Sequence, residues 1–150
     1  MRQIKYDMTL GRVLANFFLD QTKSERSAMF DGNGPAATLS SRIRLSFSLG
    51  LIAKKEQHDL DLIRRIRNEF AHNENDMTFS DPTVSARCDS LALFEDLIDT
   101  AKHIDFSHYT SRDKFQTVGV SLYLTMSARE QQARLMRRST PPVIPIISKS

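Results

Sequence analysis

Apolar residues recur at three- and four-residue intervals through most of this chain, and that spacing is the strongest restriction on what it can fold into. In TLGRVLANFFLDQ, residues 9–21, Leu10, Val13, Leu14, Phe17 and Phe18 fall on one helical face. In TLSSRIRLSFSLG, residues 38–50, Leu39, Ile43 and Phe47 lie four apart, Leu45 and Leu49 form an adjoining stripe, and Gly50 is placed as a left-handed cap. KKEQHDLDLIRRIRNEFAH, residues 54–72, sets Leu60, Leu62, Ile63, Ile66 and Phe70 on a buried side, so these two helices should form a hairpin. Asp81 before Pro82 is a helix start signal, its side chain suited to accept from free amides while proline needs no donor in the first turn. From there Val84, Cys88, Leu91, Phe94, Ile98 and Ala101 predict a fourth helix. A fifth starts near Ser111, carries Phe115, Val118, Leu122, Met126, Ala133 and Met136, and should run to about Arg138.

Between the first two helices, KSERSAMFDGNGPAA shows no sustained period, and its turn formers Asp31, Gly32, Asn33, Gly34 and Pro35 predict the principal ordered loop. STPPVIPIISKS holds three of the five prolines and cannot continue a helix. No alternating run is long enough to demand a sheet. The expected architecture is all-α, a single-domain bundle of about five helices over residues 1–138 with an extended or disordered tail over 139–150. A length of 150 residues suits one such domain and not two.

Composition narrows the function classes. With Cys88 the only cysteine, neither an intrachain disulfide nor a thiolate metal cluster can form within one chain. MRQIKYDMTLGRV lacks the apolar run of a signal peptide and no stretch suits a membrane span, so a cytoplasmic location without membrane contact is expected. The formal charge of +3 points toward nucleic acid until it is located. Residues 134–150 hold Arg134, Arg137, Arg138 and Lys149 without an acid, and removing those four leaves 17 bases against 18 acids. Within that near-neutral body, residues 42–67 carry seven bases and three acids, whereas residues 69–105 carry two bases and nine acids. Such segregation favours a polar, self-complementary surface over a simple DNA-binding face. The arm RLMRRSTPPVIPIISKS reads as a solvated tail, with charge enough to touch phosphate or a partner.

The stretch RRIRNEFAH, residues 64–72, holds the residue types of RNA cleavage: a histidine that can move a proton and an arginine that can hold a phosphodiester. Arg67 and His72 are five residues apart, which on one helix means roughly 140° of rotation and about 7.5 Å of rise. They converge only if the helix ends between them or a second chain contributes. Arg64, Asn68 and His72, spaced four and four, share one face, which suits a ligand, a dimer seam, or plain solvated residues with His72 facing the helix dipole. FDGNGPAATLSSR could bring backbone amides to a phosphate, but it lacks the Gly-Lys-Ser/Thr ending of a P-loop and a preceding strand. Ser40 and Ser41 have no base at defined spacing, and His58, His72, His103 and His108 show no metal-binding spacing. No cofactor or metal is expected. The hairpin around Gly50 carries Lys54, Lys55, Arg64 and Arg65, yet its long second helix and buried stripe fit a bundle better than a DNA-reading helix-turn-helix.

Three blocks, FDGNGPAATLSSRIRLSFSLGLI, DLDLIRRIRNEFAH and FSDPTVSARCDSL, together resemble the mannitol operon repressor family over about residues 30–91. The resemblance implies an all-helical domain and negative control of transcription, associated in the family with a sugar-alcohol operon and with no recognisable DNA-binding motif. Regulation through a protein partner, by a homodimer, is then the leading expectation, with direct DNA or RNA contact left open. Asp31, Gly32, Gly34, Ser41 and Arg42, with Arg64, Asn68 and His72, are the motif and interaction candidates within those blocks. R-N-E-F-A-H is similar as well to the R-x4-H signature of HEPN-type helical domains, many of them ribonucleases and often dimeric. That similarity makes Arg67, Asn68 and His72 the candidate catalytic group of an alternative, metal-independent ribonuclease. A third reading is an immunity-type or adaptor protein that binds a toxin, since a stable helical body with segregated charge serves that role too.

Overall fold

A computed structural model describes residues 6–72 and 77–144. The described residues form seven helices and no strand: α1 Tyr6–Phe17, α2 Lys23–Phe30, α3 Leu39–Ser48, α4 Lys54–His72, α5 Pro82–Asp89, α6 Ala92–Thr100 and α7 Ser111–Leu135. The all-α expectation holds, and of the two extra helices one comes from a stretch without apolar period and the other from a break in a stretch whose period runs on. Lys23–Phe30 has no apolar period, but Thr22 and Glu25 close a reciprocal capping box that starts α2. The single helix expected from Pro82 to Ala101 is broken at Ser90 and Leu91. The break is stabilised from outside: the fully buried Asp59 of α4 accepts from Ala92 N at 2.9 Å and Leu93 N at 2.8 Å, capping the start of α6. Restarting the helix changes its register, and Ile98, expected on the apolar face, is exposed.

Asp81 departs from its expected cap role in the same region. Its carboxylate turns back to accept from the backbone N–H and hydroxyl of Thr78 and makes no side-chain bond to α5. Gly50 does follow α3 with φ +70, and its N–H reaches Phe47 O while Leu51 N–H reaches Ser46 O.

Two apolar clusters hold the helices together. The larger joins Ile43, Leu60, Ile63, Ile66, Val84, Cys88, Leu91, Phe115, Val118, Leu122 and Met126, so α4 is flanked by α3, α5, α6 and α7. The smaller joins Val13 and Leu14 of α1 to Phe30, Ala36, Leu51 and Ala133. Pairing of α1 with α7 is the most extensive helix contact, and polar bonds reinforce it at both sides. Glu130 accepts from Arg12 at 2.9 Å and from Asn16 at 3.4 Å.

Beyond Leu135 the arm is not simply solvated. Arg137 donates to Asn16 O at 3.1 Å and pairs with Asp20, and Arg138 N–H donates to Phe17 O at 2.9 Å, satisfying carbonyls at the end of α1. Residues 139–144 follow without regular structure, and residues 145–150 of the expected tail lie outside the described residues. Among the described residues, no helix is long and apolar enough to cross a membrane.

Candidate interaction surface along α4

The loop that carries Asp31, Gly32 and Gly34, and the first turn of α3 that carries Ser41 and Arg42, are built into the scaffold. Gly32 takes φ +56, a left-handed conformation. At Gly34 a Cβ would sit 2.5 Å from the carbonyl oxygens of both Ala28 and Met29, so no larger residue fits there. The turn closes through Gly34 N–H to Asp31 O at 2.9 Å and Ala36 N–H to Met29 O at 2.9 Å, which folds the loop back on the end of α2. Asp31 itself is exposed. Ser41 is the third residue of α3 and closes a capping box with Thr38, accepting from Thr38 N–H at 3.1 Å.

Arg42 fastens three pieces of the chain. Its guanidinium donates to Ala36 O at 2.7 Å, to Phe30 O at 3.4 Å, and to both the backbone and carboxylate oxygens of Asp7 at 2.9 and 2.6 Å. The group also lies 5.8 Å from the Phe30 ring centroid. With its donors turned onto α1, the loop and α2, Arg42 is a structural clamp.

On α4 the candidates are arranged differently. The helix continues without interruption from Lys54 to His72, so Arg67 and His72 keep the wide angular separation of an unbroken helix. Asn68 and His72 are exposed, while Arg67 is half-buried and forms no ion pair among the described residues. Arg64 pairs with Asp61 at 3.3 Å, and Glu69, between Asn68 and Phe70, accepts from Arg87 of α5 at 2.9 Å. Phe70 turns inward against Phe79, ring centroids 4.9 Å apart, and Phe79 against Phe115 at 5.4 Å.

An open cavity of about 680 Å³ lies beside Phe70, floored by Phe70, Met77 and Phe79 and edged by Ser85, Ser111 and Arg112. None of Arg67, Asn68 and His72 lines it. Four of its hydroxyls bond within the protein: Ser85 Oγ lies 3.0 Å from Ser111 Oγ, and Thr78 and Thr110 bond to Asp81 and Asp113. Among the described residues, one chain therefore brings together neither Arg67 with His72 nor a nucleophile with its base.

Sequence reasoning missed the buried polar residues that fix α4. Glu56, almost fully buried, accepts from Arg129 of α7 at 2.9 and 3.3 Å and from Ala53 N–H at 2.8 Å, and Asp59 caps α6. The signal was present. Extending the Leu60, Ile63, Ile66 stripe toward the N-terminus by helical steps lands on Glu56 and Asp59, and two carboxylates on a core face demand buried partners.

Comparison with known proteins places this architecture. The mannitol operon repressors of Escherichia coli K12 and of E. coli O6:H1 strain CFT073 are each 36% identical to it over 56 residues. That stretch is 37% of this chain and 29% of the relatives' own length. No solved structure matches the chain. The family model described as Mannitol repressor matches residues 16–136, from the end of α1 through α7, and so takes in the glycine loop, the Arg42 clamp and all of α4. That match covers most of the helical body, and the chain belongs to the mannitol repressor family.

Proposed function

We propose that this chain is a non-enzymatic negative regulator of transcription that acts through contact with a protein partner and not by reading DNA with a helix. Family membership supports the regulatory part of this reading. One structural observation carries the mechanistic part: the first turns of α4 are occupied. A recognition helix offers its N-terminal residues to base edges in the major groove. In α4 those residues include Glu56, buried against Arg129, and Lys55, held 2.6 Å from Asp96. The exposed polar residues Arg65, Asn68 and His72 lie at the opposite end of the helix, and we assign the partner surface to them.

Expression of a reporter placed behind the promoter of the protein's own gene cluster tests this reading. Wild-type protein should lower expression, and the double variant Asn68→Ala/His72→Ala should relieve most of that repression while folding normally. Repression that is unaffected by the variant, or absent in the wild type, contradicts the reading. Purified wild-type protein should leave varied RNAs uncut.

A further inference from the structure

Helix α7 is apolar on both sides. Its inner side supplies Phe115, Val118, Leu122 and Met126 to the core, yet Val120, Tyr123 and Leu124 point outward and are 53%, 42% and 63% exposed. Leu135, at the end of the same outer stripe, is 89% exposed. From Phe115 to Ala128 the helix contains no Asp, Glu, Lys or Arg. A surface helix ordinarily presents charge to water, and one that is apolar all round is normally covered on all sides.

The spacing of this stripe identifies what covers it. Val120, Leu124, Gln131 and Leu135 fall within about 60° of one another around the helix and span about 22 Å along it. They are symmetric about a point between Ser127 and Ala128. An antiparallel copy of the same helix, related by a two-fold axis through that point, sets Val120 against the second copy's Leu135 and Leu124 against its Gln131. The small side chains at Ser127 and Ala128 then lie at the closest approach. The half of the stripe up to Ala128 carries no charge, and in the other half Arg134, which flanks the stripe, is paired with Glu130 of its own helix at 3.3 Å, so little like-charge repulsion opposes self-pairing. An isologous contact of this kind closes as a dimer.

The tail supplies a second unpartnered apolar group. Val143 and Ile144 are 92% and 87% exposed. Arg138 is fastened to the end of α1, and from it the chain needs five or six residues, at most about 20 Å extended, to reach them. In the antiparallel arrangement the end of one α7 lies beside Val120 and Tyr123 of the other. The tail of each chain thus emerges next to exposed apolar residues of its neighbour.

We infer that the outer face of α7 is a homodimer interface, with a second copy of this chain seated antiparallel across Ser127 and Ala128 and the Val143–Ile144 tail covering its flank. The inference is independent of the regulatory reading, because it concerns a different face and its readout is association.

Sedimentation velocity of the full chain, over a wide concentration range, tests it together with cross-linking. Wild-type protein should sediment at twice its 17.1 kDa mass. Leu124→Glu should weaken association at least about thirty-fold, the loss expected of a central interface residue, with an unchanged far-UV spectrum. Val143→Ser/Ile144→Ser should weaken it by a smaller factor. Ser127→Cys should form a covalent dimer under mild oxidation, and Arg65→Cys, on the outer side of α4, should not. A wild-type chain that stays at 17.1 kDa throughout overturns the proposal, as the tail folding onto its own α7 would produce. So does a dimer that withstands Leu124→Glu, or one in which Ser127→Cys fails to cross-link, as pairing through another face would produce.

Discussion

Arg42 shows how one side chain fixes the relation of several segments. Its substitution by Ala leaves Ala36 O and Phe30 O without their donor and removes the link to α1, so urea denaturation should show a loss of about 2–3 kcal/mol. Arg42→Lys should recover only part of this, since an ammonium cannot reproduce the fork that reaches three carbonyls. Cys88 makes a second expectation at this scale. Burial pushes its thiol up to about 11, so a thiol reagent at neutral pH should modify it only in the unfolded protein. Rapid native-state labelling would contradict that. The sequence marks Arg42 and Gly34 as members of a distinctive block without revealing why. Both owe their roles to groups brought close by folding: carbonyls of α2 for Gly34, and α1 with the loop for Arg42.

Helices behave in the same way, legible where their information is local. α1, α3, α4 and α7 follow the three-and-four spacing, and their principal buried residues, such as Leu10, Ile43, Ile63 and Val118, are those the spacing selects. α2 was legible by a different signal, Thr-Lys-Ser-Glu, which is a capping box in sequence form. The division between α5 and α6 was not legible nearby, because the residue that stabilises it, Asp59, lies 33 and 34 positions away. Asp59→Ala should therefore cost about 2–3 kcal/mol by leaving two amides of α6 uncapped in the interior. Hydrogen exchange should show that loss concentrated at Ala92 and Leu93. An effect spread evenly over α4 would mean that the cap is not what Asp59 supplies.

Over the whole molecule, ion pairs take up much of the cationic charge that a nucleic-acid reading would use: Arg12, Arg42, Arg64, Arg87, Arg129 and Arg137 all face carboxylates within the chain. The clasp between α1 and α7 also sets an acid limit. Hydrogen bonding from Arg12 holds the Glu130 carboxyl below its ordinary 4.5. Its stabilising contribution is therefore complete above about that pH and is lost as pH falls through the lower folded value. Melting temperature should fall on that acid limb, and Glu130→Gln should flatten the fall while lowering stability at neutral pH. The sequence puts Arg64, Asn68 and His72 on one helix, of which Asn68 and His72 are exposed while Arg64 is partly buried and paired with Asp61; what occupies the start of that helix depends on Glu56 and Arg129 meeting across 73 positions. Regulation by protein contact, proposed above, is checked by fluorescence anisotropy with labelled promoter DNA from the protein's own gene cluster, titrated at several salt concentrations. Weak binding that is indifferent to sequence and disappears as salt rises is expected; tight binding that discriminates promoter from scrambled DNA at physiological salt would contradict a protein-mediated mechanism.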